Sequence, residues 1–190
     1  DSVKSRGLGD VYKRQAIEGM GPPPSMIAER FNQPAEKRLH NWFSDLRKSS
    51  ARIVKRYPTL EDAFQRMQTE NPHLSEEQAR HLTIHGSNQN EDGTFSWKFD
   101  NYVRNFSPIG IPFGDMTKLY ADITCPTLLV RGLESWASDP VADGRTKAFK
   151  CPVEVVAFAN AGHWVHHDQL DGFVAVSYTH LRAHETSRNL

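Results

Sequence analysis

The sequence has few cysteines, no excess of charge of either sign and no long hydrophobic run. Its two cysteines, Cys125 and Cys151, each precede a proline, and there is no C-x-x-C motif and no secretory signal. This pattern predicts reduced thiols in a cytoplasmic protein. The sequence has 23 Lys and Arg residues and 23 Asp and Glu residues. Because there is no excess of basic residues, we predict no nucleic-acid partner. No apolar run reaches the roughly 20 residues of a membrane span, which predicts no membrane partner.

Both ends of the chain lack the periodicity of a helix or a strand. Residues 1–15 and 177–190 resemble translated adapter or cloning-linker sequence. The alternative is a pair of natural disordered tails. We expect both segments to make few contacts and to carry no consistent secondary structure. The natural sequence would then run from about residue 16 to residue 176 and be cut at both ends.

The middle of the chain, residues 25–121, is long, polar and mostly helical in pattern. Thr59 and Ser75 each stand three residues before a side chain that can complete a capping box, which predicts two helix starts. Asp92-Gly93, followed by alternating residues, predicts a hairpin. Residues 16–24, before this segment, have the pattern of a strand end that runs into a proline-rich loop.

The pattern changes in residues 122–176. Apolar runs at 126–131 and 153–158 predict two buried strands, with helices predicted at 139–149 and 165–174. Alternation of strand and helix favours parallel strands joined by right-handed crossovers. The fold class is therefore α/β, with two adjacent, nearly fully buried parallel strands that belong to a larger sheet.

Three motifs resemble parts of the α/β-hydrolase family. CPTLLVRGLES at 125–135 resembles the penultimate strand, after which the acid of the catalytic triad usually stands, and NAGHW at 160–164 resembles the loop that presents the catalytic histidine. EGMGP at 18–22 resembles the end of the strand before the lid. The resemblance covers residues 16–176 and implies a partial α/β-hydrolase fold, in which 25–121 is the helical lid and 122–176 the C-terminal part of the core.

The family's nucleophile has no counterpart in the sequence. In α/β-hydrolases the chain order is nucleophile, acid, histidine, and the nucleophile stands in a G-x-S-x-G turn upstream of the lid. No such pentapeptide occurs here, and neither Ser25 nor Ser87 has the second glycine or a preceding apolar strand. The resemblance thus implies an inactive fragment, so any function belongs to a full-length parent.

His163 is the predicted catalytic base, and its acid partner has two candidates. An imidazole can take a proton from a nucleophilic oxygen and return it to the leaving group; the alternative is a loop histidine without a task. The family's usual aspartate position is occupied by Ser135. Glu134 is one residue earlier, and Glu18 matches the position used by some relatives, haloalkane dehalogenases among them. Both glutamates stay open, and Asp139 is better explained as a helix cap.

Trp136 and Trp164 flank the predicted acid and base and are the predicted substrate contacts; packing is the alternative. The remaining histidines lack the third ligand and the spacing of a metal site, so we predict no metal and no cofactor. Among these histidines are His81 and His85, four residues apart, and the adjacent pair His166 and His167.

The leading hypothesis is a parent enzyme that hydrolyses carboxylic esters or similar bonds of a small-molecule substrate by a Ser-His-acid triad. One alternative keeps the fold but uses an aspartate nucleophile, as dehalogenases and epoxide hydrolases do. Another is a non-catalytic α/β-hydrolase-like binding protein, which the replacement of the usual acid by Ser135 leaves open. The sequence indicates neither the substrate nor the oligomeric state.

Overall fold

The computed structural model describes residues 14–18, 20, 22–105 and 107–182. The chain divides into two compact units. The first unit comprises the two segments before Glu29 and after Gly110, and the second unit is Glu29–Gly110. In chain order the elements are β1 (Arg14–Ile17), α1 (Pro24–Phe31), α2 (Ala35–Ala51), α3 (Leu60–Glu70), α4 (Glu76–Gly86), β2 (Ser87–Gln89), β3 (Phe95–Trp97), α5 (Phe113–Ala121), β4 (Thr127–Gly132), β5 (Val153–Phe158), α6 (Val165–Asp168) and α7 (Leu170–Arg182). Short 3₁₀ helices occupy Asn101–Arg104 and Arg145–Ala148.

A parallel sheet of β1, β4 and β5 forms the core of the first unit, with β4 in the centre. Ala16 lies beside Leu129, and Leu129 lies beside Val155. The predicted parallel pairing of the two apolar runs is therefore confirmed. Leu128 and Val130 of β4 are buried together with residues of the loop after β5 and of α6, which closes one face of the sheet.

The prediction of near-complete burial is right for β4 and wrong for β5. Along β5, Glu154 and Ala157 are exposed and the other residues are half-buried. The reason is position: β4 has a neighbouring strand on each side, whereas among the described strands β5 pairs with β4 alone. The edge of β5 away from β4 therefore lacks the cover that a neighbouring strand provides.

The predicted helix at 139–149 is instead a turn followed by the short 3₁₀ helix Arg145–Ala148. Asp139 caps the turn, because its Oδ1 accepts hydrogen bonds from the backbone N–H groups of Val141 (2.8 Å) and Ala142 (3.4 Å). Gly144 then takes a left-handed φ of 82°, which interrupts any helix at this point.

The prediction that the ends carry no regular structure is wrong where the ends are described. Residues Arg14 and Gln15 belong to β1, and α7 continues to Arg182. The Gln15 side chain donates to the backbone oxygen of Ser177 (3.1 Å). Ser177 and His180 are buried and continue the inward face of α7, so the helical period does not stop at 176. Residues 1–13 and 183–190 lie outside the described residues, and the adapter-like origin of both ends stays a prediction.

The second unit is mostly helical, as predicted. Capping boxes start α3 at Thr59 and α4 at Ser75, and both are confirmed with reciprocal hydrogen bonds. The two helices share a small apolar core around Phe64. The predicted hairpin is also confirmed: β2 and β3 pair antiparallel across a turn in which Gly93 has a φ of 82°.

The predicted proline-rich loop after β1 ends earlier than expected, because α1 begins at Pro24. A proline is well tolerated in the first turn of a helix, where its missing N–H has no helical partner.

Within the described residues, none of these helices combines the length and apolar character needed to cross a membrane.

Candidate active site

Three loops that follow the three parallel strands meet at one edge of the sheet. Glu18 directly follows β1, Ser135 lies just after β4, and His163 lies in the loop after β5. The carboxyl ends of parallel strands open onto a common crevice, so residues far apart in sequence come together there. The three side chains form one hydrogen-bonded cluster in the first unit.

The imidazole of His163 contacts the carboxylate of Glu18. Nδ1 of His163 lies 3.2 Å from Oε2 of Glu18. The Glu18 side chain is only 2% exposed, whereas that of His163 is 37% exposed. With the proton on Nδ1, the ring donates to the carboxylate and Nε2 remains an acceptor. The pair thus has a buried carboxyl group behind an imidazole that solvent can reach.

Two further donors fix the Glu18 carboxylate. The backbone N–H of Gly132 donates to Oε1 (2.5 Å), and the Ser135 hydroxyl donates to Oε2 (2.7 Å). The Glu18 backbone has a left-handed φ of 52°, which is uncommon for a residue other than glycine, and its N–H donates to the Val130 oxygen (3.0 Å). Strained backbone of this kind persists where the surroundings hold it in place, and it is frequent at functional sites.

The loop that carries His163 packs directly on the end of β4. The N–H groups of Leu133 and Glu134 donate to the oxygens of Phe158 (2.9 Å) and Ala161 (3.0 Å). A Cβ atom built on Gly132 would lie 2.2 Å from the Gly162 oxygen and 2.3 Å from the Ala161 oxygen. Only glycine allows this approach of two backbones, so Gly132 brings the His163 loop and the Glu18 carboxylate to the same place.

Of the two predicted acids, the structure brings Glu18 to the histidine. Glu134 is exposed, and its backbone N–H ties the end of β4 to the loop after β5. Asp139 caps a turn instead of the predicted helix, and it also pairs with Arg131 (3.1 Å). Sequence alone could not rank the glutamates, because the choice depends on the unusual backbone of Glu18 and on hydrogen bonds to residues more than a hundred positions away.

The chain is similar in fold to several solved structures of hydrolases. No family model matches the chain, and neither does any curated protein. Among solved structures, it is similar to the thioesterase domain from the curacin biosynthetic pathway (TM-score 0.63, 21% identity, 77% of this chain and 52% of that one). It is also similar to an esterase of M. tuberculosis (TM-score 0.57, 19% identity, 83% of this chain and 51% of that one). A third similar structure is E-2-(acetamidomethylene)succinate hydrolase (TM-score 0.59, 17% identity, 90% of this chain and 57% of that one). The chain has part of the α/β-hydrolase fold. It spans about half the length of these structures.

Trp136 and Trp164 occupy different surroundings in this α/β-hydrolase fold. The Trp136 ring lies against the His163 imidazole, with centroids 4.8 Å apart and planes at 39°. Trp136 is 68% exposed, so a large apolar surface borders the imidazole. Trp164 is 36% exposed and contacts the ring of His167 at 5.6 Å. The structure therefore places Trp136, of the two, in direct contact with the histidine.

Arg145 is a feature of the site that the sequence did not reveal. Its side chain is 1% exposed and pairs with Asp143 (2.8 Å). It also donates to the backbone oxygens of Met20 (2.9 Å) and Ser138 (3.0 Å). Met20 follows Glu18 closely, so Arg145 ties the loop after β1 to the loop after β4. No motif marks this arginine, because its contact with Met20 joins residues 125 positions apart.

Asp143 adds a pH-dependent element to this tie. Burial would raise the pKa of the Asp143 carboxyl, but hydrogen bonds from Arg145 and from Ser138 outweigh burial and hold the pKa below its ordinary value. A carboxyl whose pKa is lower in the folded state stabilises the fold above its unfolded pKa, which is about 3.9. That stabilisation is lost as the pH falls from there through the lower folded pKa.

We therefore expect Asp143→Asn to lower the free energy of unfolding at pH 7 by about 1–3 kcal/mol, because hydrogen bonds to a charged group are lost. The difference from the unmodified chain should shrink as the pH falls below about 4, because the carboxyl takes up a proton first in the unfolded state and only at lower pH in the folded state. Urea unfolding across pH measures both effects. Asp115→Asn, which alters an exposed carboxylate, is the control and should change little. An Asp143→Asn effect that is equal at pH 3 and pH 7 contradicts the charge-based account.

Metal binding has no evident ligand set at this site. Within the described ranges, no group of three His, Cys, Asp or Glu side chains is placed to hold an ion. His166 and His167 are in ring contact, with centroids 4.3 Å apart. Burial, and then the neighbouring His167, lower the pKa of His166.

Proposed function

We propose that the chain is the C-terminal part of an α/β-hydrolase that cleaves carboxylic esters or similar bonds of a small molecule. His163 is the general base and Glu18 is the acid that orients it. The observation that carries the proposal is the contact of 3.2 Å between His163 Nδ1 and a carboxylate that is almost completely buried. The nucleophile, a serine, is supplied by a part of the protein outside these 190 residues, and the chain by itself is inactive.

The geometry suits a proton relay. With Nδ1–H directed at Glu18, Nε2 takes the proton of the serine hydroxyl as the serine oxygen attacks the substrate carbonyl. The carboxylate stabilises the imidazolium that forms, and the imidazolium then protonates the leaving alcohol. Water repeats the sequence on the acyl-enzyme, which releases the acid and restores the serine. Gly132 and Ser135 each donate to one oxygen of the Glu18 carboxylate.

The comparisons support the proposal at the level of the fold. An esterase, a thioesterase domain and E-2-(acetamidomethylene)succinate hydrolase are similar in fold over 77–90% of this chain. Each is about twice as long as the part that this chain covers, which leaves room for a nucleophile elsewhere in a parent protein. Site residues, rather than fold, decide the reaction, so the Glu18–His163 contact remains the main support.

The test uses the full-length protein and the 190-residue chain side by side. We expect the full-length protein to hydrolyse p-nitrophenyl esters of short and medium acyl chains, and His163→Ala to remove at least about 10³-fold of kcat. The 190-residue chain should show no turnover. Equal activity of the short chain would refute a nucleophile outside it. Binding of the esters without hydrolysis by the full-length protein would instead favour a non-catalytic binding protein.

An aspartate nucleophile of the dehalogenase or epoxide-hydrolase type is the second candidate. The observation that favours it is the acid itself: Glu18 follows the strand before the helical segment, the position that the resemblance associates with haloalkane dehalogenases. A fluorophosphonate reagent should label the full-length protein if a serine is the nucleophile. If an aspartate is the nucleophile, the reagent should not label the protein. A single turnover of a haloalkane or an epoxide in H₂¹⁸O should then place the isotope in the carboxylate of that aspartate rather than in the product.

Trp136 is the proposed wall of the substrate pocket. Trp136→Ala in the full-length enzyme should raise KM by about 2- to 10-fold, because the substrate loses an aromatic contact beside the imidazole. Trp136→Phe keeps a ring and should restore most of the affinity. Steady-state kinetics on one ester series measures both. An unchanged KM in Trp136→Ala would assign the side chain to packing on His163. Trp164 stays a predicted contact, open to the same pair of substitutions.

A further inference from the structure

Ser135 stands at the position where the resemblance leads one to expect an aspartate, and its hydroxyl has a specific task in this structure. Ser135 Oγ lies 2.7 Å from Glu18 Oε2. The same oxygen faces His163 Nδ1 at 3.2 Å. The serine and the imidazole therefore share one carboxylate oxygen, and the direction of one hydrogen bond affects the other.

The orientation of the Ser135 hydroxyl is itself fixed. The backbone N–H of Ala137 donates to Ser135 Oγ at 3.1 Å, which occupies a lone pair of the hydroxyl. A serine hydroxyl has a single hydrogen to donate, and with Oγ held in this way that hydrogen is directed at Glu18. The arrangement is a relay from a backbone amide through a hydroxyl to the carboxylate.

Glu18 needs this second donor. A glutamate side chain has several rotatable bonds, and this one extends from a backbone with a left-handed φ. The Gly132 amide holds only one of the two carboxylate oxygens, Oε1. With that hydrogen bond alone, the plane of the carboxylate could turn about Oε1. The hydroxyl of Ser135 fixes the other oxygen. Because the Glu18 side chain is 2% exposed, bulk water has little access to replace a lost donor.

We propose that Ser135 is a positioning residue of the catalytic pair, and that its hydroxyl holds Glu18 Oε2 in line with Nδ1 of His163. This inference rests on the proposed function, in which Glu18 orients the base. The position that usually carries the acid is thereby used to hold an acid that comes from another strand. Ser135 acts through Glu18 and does not itself touch the reacting atoms.

The kinetic test compares Ser135→Ala with Ser135→Thr in the full-length enzyme. We expect Ser135→Ala to lower kcat by about 10- to 100-fold, the loss typical of one hydrogen bond to a charged group or of a small misplacement of a catalytic group. KM should stay within about twofold, since substrate binding does not use Glu18. Ser135→Thr retains a hydroxyl and should recover most of kcat. An equal loss in Ser135→Thr, or a change confined to KM, overturns the proposal.

A spectroscopic arm uses the 190-residue chain and needs no activity. The ¹⁵N shifts of the His163 ring report which nitrogen carries the proton. We expect the Nδ1–H tautomer to dominate in the unmodified chain and in Ser135→Thr, and a larger share of Nε2–H in Ser135→Ala. No difference between the variants contradicts the positioning role. If Ser135→Ala does not fold, Ser135→Cys, which keeps the size but donates weakly, replaces it in both arms with the same expected direction.

Failure of this inference can be told apart from failure of the proposed function. If Glu18→Gln leaves kcat unchanged, the assignment of Glu18 as the acid is wrong, and the role of Ser135 is wrong with it. If Glu18→Gln lowers kcat strongly and Ser135→Ala leaves it within about threefold, the proposed function stands and only the positioning role of Ser135 is refuted.

Discussion

Glu18→Gln in the full-length enzyme is expected to lower kcat by about 10³- to 10⁴-fold while KM changes little. The amide has nearly the shape of the carboxylate, but it carries no charge to stabilise an imidazolium, and its NH₂ group can donate to Nδ1 and so favour the wrong tautomer. Loss of the charged partner of a catalytic histidine has effects of this size in hydrolases with such a triad. The side chain is buried against His163, so water cannot take over its role.

Glu134→Gln is the matched control, because the two glutamates were equal candidates from the sequence. Glu134 is exposed, and the substitution leaves intact the hydrogen bond that its backbone N–H donates to Ala161. We expect its kcat within about threefold of the unmodified enzyme. A large loss in Glu134→Gln together with a small one in Glu18→Gln would reverse the assignment. Steady-state kinetics of both variants at several pH values decides between them.

The sequence predicts the parallel strands, and the place of His163 after the last of them, because both depend on local pattern. An apolar run ending in glycine marks β4, a second apolar run marks β5, and a glycine–histidine pair after a strand marks the position of His163. The burial of β5 was overestimated, since an apolar run does not show whether a strand has one neighbour or two. The length of α7 was underestimated, because Ser177 and His180 are polar residues on its buried face.

The choice between Glu18 and Glu134 as the partner of His163, and the residues that hold Glu18, could not be predicted, because long-range contacts decide them. The Glu18 carboxylate meets donors from Gly132 and Ser135, and Arg145 ties the loop after Glu18 to a distant turn. None of these residues carries a local signal for such a role. Ser135 at the usual acid position leaves a non-catalytic binding protein open on sequence alone, whereas its contact with Glu18 makes it a supporting residue under the proposed function.

Gly132→Ala should produce the largest loss of stability, because the added Cβ has no space. It would lie 2.2 Å from the Gly162 oxygen and 2.3 Å from the Ala161 oxygen, and both atoms belong to backbone rather than to a flexible side chain. Either the end of β4 or the His163 loop must move. Forcing a methyl group into a packed interior typically costs about 1–3 kcal/mol and can cost more, and we expect at least the upper end here. The free energy of unfolding in urea measures the loss.

Gly114→Ala provides the control, since a Cβ at Gly114 would have no atom within 4 Å apart from its chain neighbours and its own helix backbone, and this glycine is in helix α5. There the substitution should be neutral or should stabilise by up to about 1 kcal/mol, because alanine is the better helix former. In Gly132→Ala the displaced loop should also separate His163 from Glu18, since the amide of residue 132 donates to Glu18 Oε1. The ¹⁵N signals of the His163 ring should then lose the Nδ1–H preference. Equal stability of the two variants would show that the loop approaches β4 less closely than this structure has it.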